Sequence, residues 1–184
     1  MYYVFANDFE KYPGVRKYDI PDVWLRYSNY TAERIAEELP PMIFYARGEN
    51  LPDHLTNTGG FLLFNDHLRK VVDPFAGDSM QYFNTLIKDK KTKEEISIYY
   101  LARILVKIDC INYEKSDIEY VEGDPNSISY IKSLVLNEDK IGNNPIFILK
   151  KLLLIIMRED LVNAIRKANC TGMKFIRFEE YSGG

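Results

Sequence analysis

Hydrophobic spacing along the chain is most regular between Leu152 and Tyr181. An apolar run from Leu152 to Met157 opens this stretch and predicts a strand. From Arg158 to Asn169 the period changes. Leu161, Ala164, Ile165 and Ala168 recur at i, i+3, i+4 and i+7, which lays one apolar stripe along a helix. Glu159 and Asp160 in its first turn and Arg166 and Lys167 in its last complement the helix dipole. Gly172 is the expected stop, where a residue free to take positive φ is wanted, and Met173 to Phe178 predicts a second strand. The stretch therefore reads as a compact β-α-β unit.

The same pattern occurs earlier. Sliding the sequence by 93 positions (153 − 60) lays Gly60–Leu86 on Leu153–Glu179 without a gap. Leu62-Leu63-Phe64 then falls on Ile155-Ile156-Met157, Asp66 on Glu159, Leu68 on Leu161, Val72 on Ile165, Met80 on Met173 and Tyr82 on Phe175. Identities are few, so the match is one of pattern, and it predicts two related α/β units.

Around these units the elements are shorter. Tyr2–Ala6 predicts a strand closed by the Asn7-Asp8 turn, and Pro13-Gly14 marks another turn. Asp19–Tyr30 is irregular and carries Trp24. Thr31 can cap a short helix, Ala32–Leu39, which Pro40-Pro41 must end, with Met42–Tyr45 strand-like behind it. Arg47–Gly59 is expected to be loop with a helical turn at Pro52–Leu55. After a turn at Lys88–Lys93, the residues Ile96, Ile98, Tyr100, Ala102, Ile104, Val106 and Ile108 alternate along one face of a long strand expected to bend or break. Asp109–Glu122 reads as acidic and irregular, Gly123–Asn126 as a turn, Ile128–Leu136 as strand or mixed, and Gly142–Pro145 as a turn into Ile146–Leu149. The expectation is one α+β domain over residues 1–184, built on a mixed, mainly antiparallel sheet with the two β-α-β-like units and a few short helices. Residues 1–50 would form a strand/helix annex and residues 51–184 the core.

Composition changes this picture little. A net charge of −3 leaves no basic excess to act as a nucleic-acid footprint. The N-terminus lacks a signal-peptide pattern, and the longest apolar run, broken by Lys150-Lys151, falls short of the roughly 20 residues a spanning helix needs. No membrane partner is therefore expected. The aromatic content, with 14 Tyr and 10 Phe, suits β-rich structure, leaves Tyr free for contacts and is compatible with a homodimer. Cys110 and Cys170 read as reduced thiols of a cytoplasmic protein, although a bridge between them stays open.

Phosphate-cradling, dinucleotide, nucleophile-elbow and HExxH motifs are all absent, and Gly59-Gly60 precedes a strand and reads as a turn. The only histidines are His54 and His67. A metal site joining them to Asp53 or Asp66 is one option, with ordinary surface histidines the simpler reading, so no metal and no cofactor are expected. Cys110 beside Asp109 has no histidine nearby to activate it. The one polar constellation is Asp109, Glu114, Asp117, Glu119, Glu122 and Asp124, interleaved with Tyr113 and Tyr120 and with Lys115 as its only basic residue. One reading is a solvated acidic loop. The other is a recognition surface, in which carboxylates steer a basic partner and tyrosines supply contact area at low entropy cost. The groove of a toxin that cuts nucleic acid is such a partner. Glu37-Glu38 reads simply as an exposed helix face.

Two segments carry a family resemblance: Asp109-Cys110-Ile111-Asn112-Tyr113-Glu114-Lys115-Ser116 and Asn169-Cys170-Thr171-Gly172-Met173-Lys174-Phe175. Together with the strand-turn-helix near Phe61–Val72 and with Ile146-Phe147-Ile148-Leu149, their order and spacing over Asp53–Phe178 resemble bacterial polymorphic-toxin immunity proteins of family eleven. Arg158 departs from the pattern, which calls for a small capping residue before the helix. The resemblance implies a cytoplasmic, non-enzymatic protein that binds a cognate toxin domain, occludes or distorts its active site, and carries no catalytic residues. It also makes Thr171, Gly172 and Phe175 fold-keeping positions. The expected contacts are then Asp109, Tyr113, Glu114, Asp117, Glu119, Tyr120 and Glu122. The competing readings are a small carboxylate-site or metal-dependent enzyme built on the same acidic segment, and a ligand-binding regulatory module.

Overall fold

The computed structural model describes residues 1–27, 32–48 and 50–183, with the side chains of Pro125 and Asn126 left aside. In chain order the first elements are β1 (Tyr2–Asn7), β2 (Tyr18–Asp19), β3 (Met42–Ala46), β4 (Leu63–Phe64), α1 (Asp66–Ala76) and β5 (Met80–Asp89). Next come β6 (Glu95–Ile104), β7 (Lys107–Ile108), β8 (Asp117–Val121) and β9 (Asp124–Ser133). The chain closes with β10 (Ile146–Leu149), β11 (Leu154–Arg158), α2 (Glu159–Lys167) and β12 (Met173–Arg177). The fold is α+β, mostly sheet with two α-helices.

Two five-stranded sheets form, ordered β12-β1-β11-β10-β7 and β2-β3-β5-β6-β4, with β8-β9 as a separate two-stranded ribbon. All strand pairs are antiparallel except β3–β5 and β10–β7. Strands from residues 1–50 lie inside both sheets: β1 sits between β11 and β12, and β3 pairs with β5. Each β-α-β unit is split by a strand from elsewhere. β4 and β5 both pair antiparallel with β6, so they run parallel to each other across it. β11 and β12 flank β1 in the same way.

The 93-residue displacement holds in three dimensions. Helices start at Asp66 and Glu159, and the following strands at Met80 and Met173. Leu62, Phe64, Leu68, Val72 and Met80 share one hydrophobic cluster with their counterparts Ile155, Met157, Leu161, Ile165 and Met173, so the two units face each other across a common core. Leu63 and Ile156, pointing the opposite way, each enter a separate outer core. Asn65 caps α1 by accepting the Leu68 N–H at 2.9 Å, as the sequence pattern asks. Arg158, at the corresponding place, makes no cap bond. Instead the Met1 carbonyl takes the Glu159 N–H at 3.0 Å, and the Arg158 guanidinium forks onto Asp160 at 2.9 and 2.8 Å. The chain's first residue thus supplies the cap that its sequence lacks.

Several expectations change. Ala32–Leu39 is not helical; the Thr31 cap lies outside the described residues. The Gln81 amide brackets the Ile35 peptide, accepting its N–H at 2.9 Å and donating to its carbonyl at 2.7 Å, so tertiary bonds replace those of a helix too short to be stable alone. Glu37 and Glu38 are exposed on this non-helical segment, not on a helix face. Pro52–Leu55 is not a helical turn: Asp53 is a bend, His54 bridges Phe64, and the Leu55 N–H lies on the Leu63 carbonyl at 2.9 Å. The long strand does break: β6 ends at Ile104 and β7 joins the other sheet. Ile96 and Ile98 on its expected inner face are exposed, whereas Tyr99 and Arg103 on the opposite face are buried.

Because Leu68 and Leu161 are both fully buried in the shared core, replacing either with Ala should cost about 3 kcal/mol in urea unfolding, against under about 1 kcal/mol for an exposed site.

Candidate functional site

The acidic segment is not irregular throughout. Asp117–Val121 is strand β8, paired antiparallel with β9 through three register shifts. Ile118, Ile128 and Ile131 turn inward against the outer core that contains Cys110, Leu134 and Ile141. Before the ribbon, Asn112 and Ser116 fasten a tight turn. The Ser116 hydroxyl donates to the Asn112 carbonyl at 2.7 Å and accepts the Val135 N–H at 2.9 Å. Within this family-bearing segment the polar residues Asn112 and Ser116 do structural work, while Tyr113 and Glu114 face outward.

Asp109, Tyr113, Glu114, Asp117, Glu119, Tyr120 and Glu122 are all exposed. Among the described residues, four of the ten large exposed hydrophobic residues, Tyr113, Tyr120, Val121 and Tyr130, sit in this one region, which sets it apart from scattered surface apolars. Partial burial, and after it the nearby Asp109 carboxylate, raise the Tyr113 phenol above its usual range, so Asp109 lies close to Tyr113. Lys132 pairs with Glu119 at 2.8 Å, and the Lys151 ammonium stands 5.2 Å over the Tyr113 ring. Cys110 lies fully buried beneath, its thiol pushed up to about 11 by burial and by Asp109, which suits packing and not nucleophilic attack. Both cysteines are free thiols.

A concavity of opposite sign lies elsewhere. About 420 Å³ in volume, it is lined by Arg16, Lys17, Arg47 and Lys90 with Tyr12 and Tyr45. The ammonium groups of Lys17 and Lys93 stand 4.9 and 4.6 Å over the Tyr45 ring. The surface is therefore strongly patterned in charge although the chain is nearly neutral.

A third cluster sits where the two β-α-β units meet: it brings together Asp53 and His67, weighed from the sequence as metal ligands, and adds Asn65, Thr171 and Cys170, which the sequence spacing does not join to them. Asp53 accepts from the Asn65 amide and His67 Nδ1 on one oxygen, both at 2.9 Å. Its other oxygen accepts from the Thr171 N–H and hydroxyl, both at 2.8 Å. Burial alone would raise this carboxyl, but the bonds from Asn65, His67 and Thr171 outweigh it and keep it below the usual range. Gly172 at φ 92° passes so close that a Cβ there would lie 2.0 Å from the His54 carbonyl oxygen. Thr171 and Gly172 thus act as fold-keeping positions for a stated reason: they fasten the second unit onto Asp53 and His54.

The two histidines do not form one site. His54 is fully buried, edge-on to Phe5 and Phe64, with Nε2 on the Asn7 side chain at 2.9 Å. His67 is half exposed beside Asp53, with the Cys170 sulfur 4.0 Å from its Nδ1.

Removing the Asp53 carboxylate orphans Thr171 and Asn65 donors at once, so Asp53→Ala should cost on the order of 3 kcal/mol in chemical unfolding. His54 supplies a pH dependence. Burial pushes its imidazole down to about 3, so the folded protein keeps it neutral while the unfolded chain takes up a proton near pH 6.5. The stability it contributes is full above about pH 6.5 and lost as pH falls from there toward 3, by about 2 kcal/mol at pH 5. His54→Gln should flatten the urea-unfolding stability between pH 7 and 5.

No helix among the described residues is long and apolar enough to cross a membrane. No curated protein matches the sequence. The family described as Immunity protein family (Imm11) matches residues 9–180, nearly the whole chain and more than the Asp53–Phe178 span suggested by the motifs. The chain belongs to that immunity protein family.

Proposed function

We propose that this chain neutralises a cognate toxin domain by protein–protein occlusion, and that the β8–β9 ribbon with the turn before it is the surface that meets the toxin. Family membership supports the general role. The observation that carries the choice of surface is the coincidence of exposed tyrosines with exposed carboxylates on one small ribbon and the turn before it: Tyr113, Tyr120 and Tyr130 with Glu114, Asp117 and Glu122. Exposed tyrosines on a bulged ribbon give desolvated area at low entropy cost, and the surrounding carboxylates raise the encounter rate with a basic face. The ribbon is anchored by Ile118, Ile128 and Ile131 in the outer core, so its outward side chains are presented from a fixed base.

The test is binding of this chain to the toxin domain encoded by the gene next to its own. The triple reversal Glu114→Lys, Asp117→Lys, Glu122→Lys should weaken affinity at least tenfold at low salt, and Tyr120→Ala by about tenfold at any salt. The affinity of the unaltered protein should fall as salt rises, and that of the triple variant should not. Unchanged affinity in both variants would place the contact surface elsewhere.

A further inference from the structure

Asp53, His67 and Cys170 offer one carboxylate oxygen, one imidazole nitrogen and one sulfur, all within 4.8 Å of one another. A carboxylate, histidine and cysteine so close invite comparison with a hydrolase triad, and the geometry decides against it. A proton relay needs the acid and the thiol on opposite nitrogens of the ring. Here both converge on Nδ1: Asp53 Oδ1 at 2.9 Å and Cys170 Sγ at 4.0 Å. The thiol is also pushed up to about 11, by burial and by the Asp53 charge, so no thiolate stands ready. Convergence of three donor atoms on one point is instead what a cation centre requires.

We propose that Asp53, His67 and Cys170 bind a zinc ion, with solvent in the fourth position, and that the ion clips the two β-α-β units together. Thiolate, imidazole and carboxylate form a donor set that zinc accepts and that magnesium or calcium does not. For metal–sulfur and metal–nitrogen bonds of about 2.3 and 2.0 Å, tetrahedral geometry puts sulfur and nitrogen roughly 3.5 Å apart, so the 4.0 Å observed closes with a small side-chain movement. The donors come from three separate segments that are already fixed. Asp53 is held through its second oxygen by Thr171, and the Asn65 N–H binds the Asp53 carbonyl at 2.8 Å. The His54 N–H binds the Thr171 carbonyl at 2.9 Å. His67 lies in the first turn of α1 and Cys170 just past α2, so the ion would join equivalent helices of the repeated unit. On binding, the Cys170 thiol releases its proton to solvent and His67 moves its proton from Nδ1 to Nε2, leaving Nδ1 free to ligate.

This inference does not rest on the toxin-binding reading, and its test uses no toxin. The full chain is stripped with chelator and titrated with zinc by calorimetry, then with cobalt(II) by absorption. The expected result is one equivalent bound, a thiolate-to-cobalt charge-transfer band in the near ultraviolet, visible bands of four-coordinate cobalt, and a higher melting temperature with zinc. Cys170→Ser and His67→Ala, both at positions that are not fully buried, should each lose the charge-transfer band or weaken zinc binding at least tenfold, with far-ultraviolet circular dichroism unchanged. Binding well below one equivalent, or equal zinc affinity in all three proteins, would overturn the site.

Discussion

The structure depends on two helices sharing one core. α1 and α2 each lie against their own sheet, and their apolar stripes meet in a cluster that also takes in the inner faces of both sheets. Neither unit could bury its stripe alone, because an α-helix on a two-strand fragment leaves most of that stripe in water. Each sheet is then completed by a strand from outside the unit, β1 from far along the chain and β6 from the hairpin after β5. β1 fills the gap between β11 and β12, β6 fills the gap between β4 and β5, and the chain passes from one sheet to the other between β6 and β7.

The seam between the units is held by polar bonds of unusual density. Asp53 collects four of them from Asn65, His67 and Thr171, and buried His54 lies directly beside it with its carbonyl against Gly172. A carboxylate satisfied by four donors is costly to disturb, because every donor would lose its partner together. This accounts for Thr171 and Gly172 as positions that keep the fold. The same crowding brings the partly buried Cys170 sulfur and the half-exposed His67 ring together at the edge of the seam.

The ribbon β8–β9 stands apart from both sheets, packed through its inner isoleucines onto the outer core. Its separate pairing lets the outer face carry carboxylates and tyrosines without disturbing the shared core. The cationic concavity around Tyr45 lies on the other sheet's side, formed by the segments near β2, β3 and the β5–β6 turn.

Much of the fold was legible because hydrophobic periodicity records burial directly. The stripe Leu161, Ala164, Ile165, the matching Leu68 and Val72, and the 93-residue displacement all followed from side chains that must leave water. The exposure of Asp109, Glu114 and Asp117 was likewise readable from their charge. What the sequence could not decide was anything set by a distant partner. Ala32–Leu39 lost its helix to the Gln81 amide, Asp117–Val121 became a strand because β9 pairs with it, and α2 found its cap in the Met1 carbonyl. Asp53, His67 and Cys170 stand 14 and 103 positions apart along the chain and meet only when the two units dock. Periodicity reports which face of an element is buried, and not which other segment buries it; that choice belongs to the tertiary structure alone.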